Sequence, residues 1–297
     1  MLAHARSLLT HGALLAAVLL PAAALLLTGC EDAFDPFEDV EVRFSMQGYL
    51  DVSADTQYVR VSELQQSAFA NPEVNATVVL DDLDRGTAVT MRDSVFTYEN
   101  GAQLHNFWTA TPIRPSTTYR ITSTAPDGVA ASATFATPAA VPIPELESGL
   151  SEFSSPKNPP TAQSLTLFEV EKVADLQIRY ELAEPTTVIQ LSYADRLNRA
   201  PNGRLTLALN AYADVQQALT GTTGAICPSL NRAQILLAIT TEAWPDFRLI
   251  DIEQLVLPAT ATNVEGGLGF VGGVLTLGTE WDALRSVFAL NRAGCNG

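Results

Sequence analysis

The sequence predicts a mostly β protein in two parts: an antiparallel sandwich over residues 40–138, and a second β-rich domain with one helix over 165–297. Short stretches that alternate apolar and polar residues recur at intervals of about 8–12 residues, with turn-forming residues between them. Residues 58–61, Tyr-Val-Arg-Val, are one example. Such alternation is typical of a strand with one buried and one solvated face.

The N-terminal part contains about seven candidate strands, the number typical of an immunoglobulin-like sandwich. We place them at 40–44, 58–61, 76–80, 88–91, 95–98, 118–122 and 130–135. The stretch 113–121 is similar to a late-strand pattern of fibronectin type III-like sandwiches, where a corner tyrosine bonds to nearby backbone through its hydroxyl. The sequence therefore predicts an Ig/fibronectin-III-like sandwich in which Tyr119 is structural.

Residues 139–164 are rich in Pro, Ser and Glu and are predicted to form a linker, with a long irregular crossing as the alternative. Strands resume in the second domain at 176–180, 188–193, 205–209 and 235–240, and the last of these is apolar enough to be buried on both faces. Helical spacing of apolar residues follows Trp244-Pro245 as far as Leu255, which predicts the one helix. No pattern identifies a role for residues 201–232.

The sequence around Cys30 predicts the cellular location of the protein. This cysteine ends Leu27-Thr28-Gly29-Cys30, directly after an apolar stretch that is too short to span a bilayer and follows Arg6. Residues 1–29 are therefore expected to be a lipoprotein signal peptide, with lipid attached to Cys30. A plain secretory signal and a signal anchor are the alternatives.

An acidic tether, residues 30–39, follows the lipidated cysteine. Its acids are interleaved with Phe34, Pro36 and Phe37, and such a segment is not expected to fold alone. It is similar to the stretch that marks some outer-membrane lipoproteins for display at the cell surface. A solvated spacer that holds the domain off the lipid is the alternative.

The charge of the chain excludes one class of partner. The sequence carries 17 basic and 33 acidic side chains, and loss of the signal peptide removes Arg6 and no acid, which leaves a net charge of −17. Such a field repels phosphate backbones, so nucleic-acid binding is not expected. The acidity could attract cations or reflect a saline habitat.

Two cysteines, Cys227 and Cys295, remain beyond the lipidated one. In an exported protein, two thiols are most simply interpreted as one disulfide. Two unpaired buried thiols are the alternative. No metal site is predicted, because His105 is the sole histidine of the mature chain and no Cys-x-x-Cys occurs.

No catalytic residue is predicted. No serine lies in a Gly-x-Ser-x-Gly motif, so His105 is expected to be an ordinary strand or loop histidine. The acids at 81–84 do not follow the spacing of a calcium loop and are expected in a hairpin turn. Glycines at 266–269 are expected at a strand crossing or bulge rather than at a ligand. The three tryptophans could stack on sugars, but we expect each in a core: Trp108, Trp244 and Trp281.

The order of several landmarks resembles one known family. These are the lipid cysteine, Gly48-Tyr49-Leu50 at a strand end, the sandwich with Tyr119, and an Asn-x-x-x-Gly-Leu-Gly-aromatic stretch over 263–270. Together they are similar to Bacteroidetes-type lipoproteins grouped as domain of unknown function 4249. The resemblance implies an outer-membrane lipoprotein, often encoded near a TonB-dependent transporter, with no known activity.

We therefore expect an outer-membrane lipoprotein, surface-exposed rather than periplasmic, that acts as a non-catalytic binding or interaction module. Its expected partners are the membrane, through the N-terminal lipid, and an outer-membrane transporter. No cofactor is expected. A carbohydrate-active hydrolase using paired carboxylates, or a structural envelope protein, are the alternatives.

Overall fold

The fold is described by a computed structural model that covers residues 42–64, 74–97, 103–146, 163–184, 186–200, 203–210, 214, 217–218, 229–247, 250 and 260–281. These residues form seventeen strands. The strands are β1 (Phe44–Asp51), β2 (Gln57–Glu63), β3 (Thr77–Asp82), β4 (Thr87–Thr90), β5 (Arg92–Thr97), β6 (Gln103–Thr109), β7 (Thr118–Thr124), β8 (Ala130–Ala136), β9 (Glu145–Leu146), β10 (Gln163–Leu167), β11 (Lys172–Glu184), β12 (Thr186–Ser192), β13 (Asn198–Arg199), β14 (Leu205–Leu209), β15 (Ser229–Thr240), β16 (Val264–Glu265) and β17 (Gly267–Glu280). A 3-10 turn, Ala194–Arg196, follows β12.

The N-terminal part is the predicted sandwich. Strands β1, β2, β6 and β5 are adjacent in one sheet, and β8, β7, β3 and β4 are adjacent in another. Alternate residues of both sheets, such as Met46, Val59, Ile121 and Phe135, form a common buried core. A sheet that pairs the first, second, sixth and fifth strands, opposite a sheet of the third, fourth, seventh and eighth, is the arrangement of an immunoglobulin sandwich with an added C′ strand. The mostly β fold with an Ig/fibronectin-III-like sandwich is confirmed.

Tyr119 forms the corner that the sequence predicts. It lies near the start of β7, is 2% exposed, and its hydroxyl oxygen accepts a hydrogen bond of 3.0 Å from the backbone N–H of Arg114. Its ring stacks against Phe135, with 6.5 Å between centroids. The hydroxyl therefore satisfies a backbone donor where the chain enters the strand, which is a structural role.

A second core lies in the C-terminal part. Strands β11, β12, β15 and β17 face a four-stranded sheet of order β13-β14-β10-β9. Leu165, Ile178, Leu207, Ile239 and Trp281 are buried between them. Residues 235–240 form a strand as expected, but one of its faces is half-buried rather than buried, as at Leu236.

One sheet runs through both parts of the chain. Strand β1 pairs in parallel with β17, and this pairing completes an eight-stranded sheet of order β12-β11-β15-β17-β1-β2-β6-β5. Val271 belongs to the N-terminal core and Leu275 to the C-terminal core. Because these residues are four apart on β17, both cores lie on the same face of the large sheet. We call the opposite face the outer face.

Asp51 joins the two parts at the end of β1. It is 8% exposed, and its carboxylate accepts hydrogen bonds from the backbone N–H (3.1 Å) and the hydroxyl (2.5 Å) of Thr276 in β17. It also accepts from the N–H and hydroxyl of Ser53, at 2.9 and 2.8 Å. These four hydrogen bonds compensate the cost of burying the carboxylate, and they hold the β1–β2 turn against β17.

The glycines at 266–269 permit this pairing. A Cβ at Gly267 would lie 2.7 Å from the backbone oxygen of Phe44, and Gly269 has φ +103°, a conformation that L side chains rarely adopt. The side chain of Asn263 donates to Val271 O (2.7 Å) and accepts from Val271 N–H (3.0 Å), which continues the backbone bonding pattern. The expected strand crossing is confirmed.

Several predictions fall partly or wholly outside the described residues. Cys30, Cys227 and Cys295 lie outside them, as do residues 1–41 and most of the 139–164 linker, so lipidation and the disulfide stay predictions. Most of the predicted helix after Trp244-Pro245 also lies outside the described residues, and near its start Phe247 lies in a 3-10 turn. Among described residues, no helix is both long and apolar enough to cross a membrane.

Candidate functional site

An aromatic row crosses the outer face of the shared sheet. Tyr49 of β1 pairs with Tyr58 of β2, and Tyr58 pairs with Trp108 of β6. On its other side, Tyr49 pairs with Gly272 of β17, whose outer surface is covered by the side chain of Trp244. Residues directly opposite one another on neighbouring strands point to the same face. We call Trp244, Tyr49, Tyr58 and Trp108 the aromatic row.

The centre of the row is open to solvent. Tyr49 is 54% exposed and Tyr58 is 50% exposed, whereas Trp108 is half-buried. Neighbouring strands lie about 4.8 Å apart, so the three rings on β1, β2 and β6 extend over about 10 Å. The row ends at Arg92 of β5, whose guanidinium lies 5.2 Å from the centre of the Trp108 ring.

The opposite end of the row is a cluster of three aromatic rings. Trp244 packs edge to face with Phe270 at 5.1 Å, and Phe247 packs with Phe270 at 5.7 Å. A Cβ at position 272 would lie 2.6 Å from the Trp244 ring, so the glycine is what lets the indole lie on the strand. Lys172 Nζ donates to the backbone oxygen of Trp244 and holds this loop on the sheet.

A second row of polar side chains runs beside the aromatic row. Gln47 of β1 pairs with Arg60 of β2, Arg60 with Asn106 of β6, and Asn106 with Ser94 of β5. Phe270 of β17 pairs with Gln47 and closes this polar row. These positions are two residues from the aromatic row along each strand, so they share its face. They supply amide, hydroxyl and guanidinium groups beside the rings.

This arrangement is suited to binding. Aromatic faces bury apolar surface, and the neighbouring amides and hydroxyls donate and accept hydrogen bonds. Non-covalent recognition is the chemistry that these rings, amides and hydroxyls support directly.

The other residues considered in the sequence are held by structural contacts. His105 lies in β6 on the core side, 8% exposed, with Nδ1 2.8 Å from the Asp93 carboxylate. The acids at 81–84 lie at the β3–β4 hairpin, as expected: Asp82 accepts two hydrogen bonds from Arg114, at 2.9 and 2.7 Å, and Asp81 pairs with Arg120. Among described residues, no three His, Cys, Asp or Glu side chains are grouped to hold a metal ion.

A cavity of about 350 Å³ lies beside this hairpin. Asp82, Arg114 and Tyr119 contribute its polar groups, with apolar lining from Leu80 and Val89. Partial burial opposes ionisation of Asp82, but the hydrogen bonds from Arg114 and from the Arg85 N–H lower the pKa of its carboxyl group. Because Asp82 accepts two hydrogen bonds from one guanidinium nitrogen of Arg114, its carboxylate is held by this ion pair.

The sequence indicates parts of this face but not the face as a whole. Trp281 is in a core as expected, at 2% exposure, but Trp108 and Trp244 are half-buried on the outer face rather than core residues. The alternation of residues 58–61 did predict that Tyr58 faces solvent. The register that brings it next to Tyr49 and Trp108 is set by strand pairing across the sheet, which alternation within one strand does not specify.

Comparisons with known proteins assign this chain to no family. No protein-family model and no curated protein matches the chain. Among solved structures, a pullulanase complexed with maltotriose from Anoxybacillus sp. LM18-11 is similar at TM-score 0.23 and 12% identity, over 66% of this chain and 24% of that one. The chicken CNTN1 FN1–FN3 domains are similar at TM-score 0.26 and 14% identity, over 80% and 63%. This chain thus spans about a quarter of the pullulanase, and TM-scores this low establish no relationship.

Proposed function

We propose that this protein is an outer-membrane lipoprotein that acts as a non-catalytic binding module, with its ligand lying across the aromatic row. The half-exposed pair Tyr49 and Tyr58, beside Trp108, is the observation that supports this proposal. A cross-strand aromatic pair stabilises a sheet by only about 0.2–1 kcal/mol. Sheet stability alone therefore gives little reason to keep so much aromatic surface in water, and contiguous exposed apolar surface is typical of interaction sites.

The membrane anchor in this proposal rests on the sequence around Cys30, and a partnership with a TonB-dependent transporter rests on the family resemblance alone. We expect Cys30→Ala to abolish incorporation of radiolabelled palmitate and to release the protein from the membrane fraction, because the thiol that carries diacylglycerol is gone. Metabolic labelling followed by fractionation measures both. Cys227→Ala is the matched control and should label like the wild type. Equal labelling of Cys30→Ala and the wild type would contradict the lipid anchor.

The binding face can be tested in intact cells by site-specific photocross-linking. Replacing Tyr58 with p-benzoylphenylalanine is expected to give an ultraviolet-dependent adduct of higher mass, because the photoreactive ring occupies the centre of the row. Val188 of β12 is the matched control position. It lies on the same face of the same sheet and is 53% exposed, against 50% for Tyr58.

Adducts at position 58 and not at 188 support a ligand on the aromatic row. Adducts of equal yield at both positions, or at neither, would contradict it. Both variants should show the thermal midpoint of the wild type, since an exposed side chain is replaced in each case.

A further inference from the structure

We infer that the ligand of this face is an anionic oligosaccharide, a chain of pyranose rings that carries carboxylate or sulfate groups. This inference rests on the proposed function, since it names the chemistry of the molecule that lies across the aromatic row. Three features carry it: the local charge of the face, the pairing of flat rings with hydrogen-bonding side chains, and the distances between the two rows.

The charge of the two rows is opposite to that of the chain. Their positions on β17, β1, β2, β6 and β5 hold Arg60 and Arg92 but no Asp or Glu. The next outward carboxylate on β1, that of Asp51, is 8% exposed and is held by hydrogen bonds from Ser53 and Thr276. The chain as a whole has 33 acids against 17 bases. Asp93, next to Arg92 in sequence, points to the other face and contacts His105.

The remainder of the outer face differs. There Arg179 pairs with Glu181 at 3.1 Å, and Arg232 pairs with Glu280 at 2.6 Å. Arg60 makes no ion pair with another described residue, and Arg92 is held by the Trp108 ring. The guanidinium groups of Arg60 and Arg92 are therefore available to an external anion. Those of Arg179 and Arg232, on the rest of the outer face, are already paired with Glu181 and Glu280. Salt screens the acidic remainder of the chain beyond about 8 Å, and Arg60 and Arg92 are the charged side chains that lie within the rows.

The side-chain types favour a sugar over other anions. The C–H face of a pyranose packs against a flat aromatic ring, as Tyr49, Tyr58 and Trp108 present here. Gln47 and Asn106 can each donate and accept, which suits the hydroxyl groups of a sugar. The planar guanidinium group binds carboxylate and related oxyanions through two parallel hydrogen bonds.

The spacing lets one ligand use both rows. Arg60 is two residues from Tyr58 on β2 and lies diagonal to Tyr49 and Trp108, at about 7–8 Å for such positions. A sugar ring stacked on the aromatic row therefore places an attached carboxylate or sulfate within reach of Arg60. Arg92 can bind such an anionic group at the end of the row. The cation–π contact with Trp108 already orients its guanidinium group there.

A membrane surface and a protein partner are less well matched. Recognition of anionic lipid relies on clustered Lys and Arg, whereas the chain has two lysines in all, and Lys172 is already bonded to the backbone oxygen of Trp244. Protein interfaces of stable complexes have an apolar core with a polar rim. Here the amides and an arginine run alongside the rings for the whole length of the row, which suits a narrow, extended, hydroxyl-rich chain.

The test titrates the mature chain with matched pairs of probes: oligogalacturonate and its carboxyl-reduced counterpart, and a sulfated oligosaccharide and its desulfated counterpart. Calorimetry and tryptophan emission report binding. We expect at least one anionic probe to bind about tenfold or more tightly than its neutral counterpart, the factor that corresponds to one lost charged hydrogen bond. Whether the carboxylated or the sulfated probe binds identifies the anionic group.

Variants assign the effect to residues. Arg60→Gln is expected to lower affinity for the anionic probe by about tenfold and to leave affinity for the neutral probe unchanged. Tyr58→Ala should weaken both. Arg179→Gln, on the same face but paired with Glu181, is the matched control and should bind like the wild type. Unchanged thermal midpoints exclude loss of fold as the cause.

The outcomes separate this inference from the proposed function. Equal binding of charged and neutral probes, lost in Tyr58→Ala, would overturn the anionic ligand and leave the binding face in place. A polypeptide in the cellular adduct at position 58 would likewise overturn the anionic oligosaccharide and leave the binding face in place. Binding only to phosphatidylglycerol vesicles, or to no probe at all, would overturn the oligosaccharide. If position 58 forms no adduct in cells, both the proposed function and the anionic ligand are overturned.

Discussion

Gly269→Ala is expected to lower the free energy of unfolding by about 3–5 kcal/mol, or to prevent folding, because two penalties act at one position. Gly269 has φ +103°, where an L residue is strained, and a Cβ there would overlap the carbonyl oxygen of Met46 on the neighbouring strand. The parallel pairing of β1 with β17 depends on this close approach. Urea denaturation followed by circular dichroism measures the loss.

Gly278→Ala is the matched control, since it lies on the same strand without either penalty. Its φ is ordinary for an L residue, and a Cβ would meet Leu236 at 3.8 Å, an ordinary contact. We expect its free energy of unfolding to stay within about 1 kcal/mol of the wild type. Similar losses for both variants would contradict the close approach at Gly269.

Asp214→Ala is expected to cost about 2–4 kcal/mol of stability, because two buried hydroxyl groups lose a charged acceptor. The Asp214 carboxylate is 4% exposed and accepts hydrogen bonds from Tyr180, at 2.6 Å, and from Tyr193. Both tyrosines are almost fully buried in the C-terminal core. The segment around Asp214 belongs to residues 201–232, for which the sequence indicated no role, so this contact gives part of it a structural one.

A double-mutant cycle isolates this contact. In a Tyr180→Phe/Tyr193→Phe background the carboxylate has lost both donors, so removing it should cost about 2 kcal/mol less than in the wild type. Urea midpoints of the four proteins provide the coupling free energy. An unchanged cost in the two backgrounds would show that Asp214 acts through other contacts.

The same cluster predicts a pH dependence. Burial and the Asp214 carboxylate raise the pKa of Tyr180 and of Tyr193 well above the ordinary value of about 10. Below pH 10 both phenols are protonated in the folded and unfolded chains, so the stabilisation is complete. Above it the unfolded chain ionises first, so the free energy of unfolding falls as the pH rises. The Tyr180→Phe/Tyr193→Phe variant should fall less steeply, and an equal fall would contradict the raised pKa values.

Much of the N-terminal sandwich could be predicted from local patterns. Alternation of apolar and polar residues predicts the strands, because the side chains of a strand point to opposite faces in turn. Tyr119 was predicted from its neighbours, and its bond to Arg114 N–H confirms the corner. The glycines at 266–269 predicted a crossing, although the sequence did not indicate which strand lies beside them.

The candidate site was less predictable. Tyr49, Tyr58 and Trp108 are separated by up to 59 positions, and only Tyr49 belongs to a recognised motif, Gly48-Tyr49-Leu50, which indicates no role for its ring. Trp108 and Trp244 were expected in cores, since large aromatics usually bury their surface. Trp244 instead lies on the outer face because Gly272 leaves room for its ring on the strand.

Sequence by itself determined the type of structure: mostly β, with an immunoglobulin-like sandwich first and further strands after it. These are properties of short segments, and the backbone conformation of a strand follows from its own residues and turns. Only the tertiary structure decided that β17 returns beside β1, that both cores share one sheet, and that aromatic residues from distant strands form one row. Those pairings depend on contacts between segments that are separated in sequence, by more than 200 residues for β1 and β17, and no local pattern encodes them.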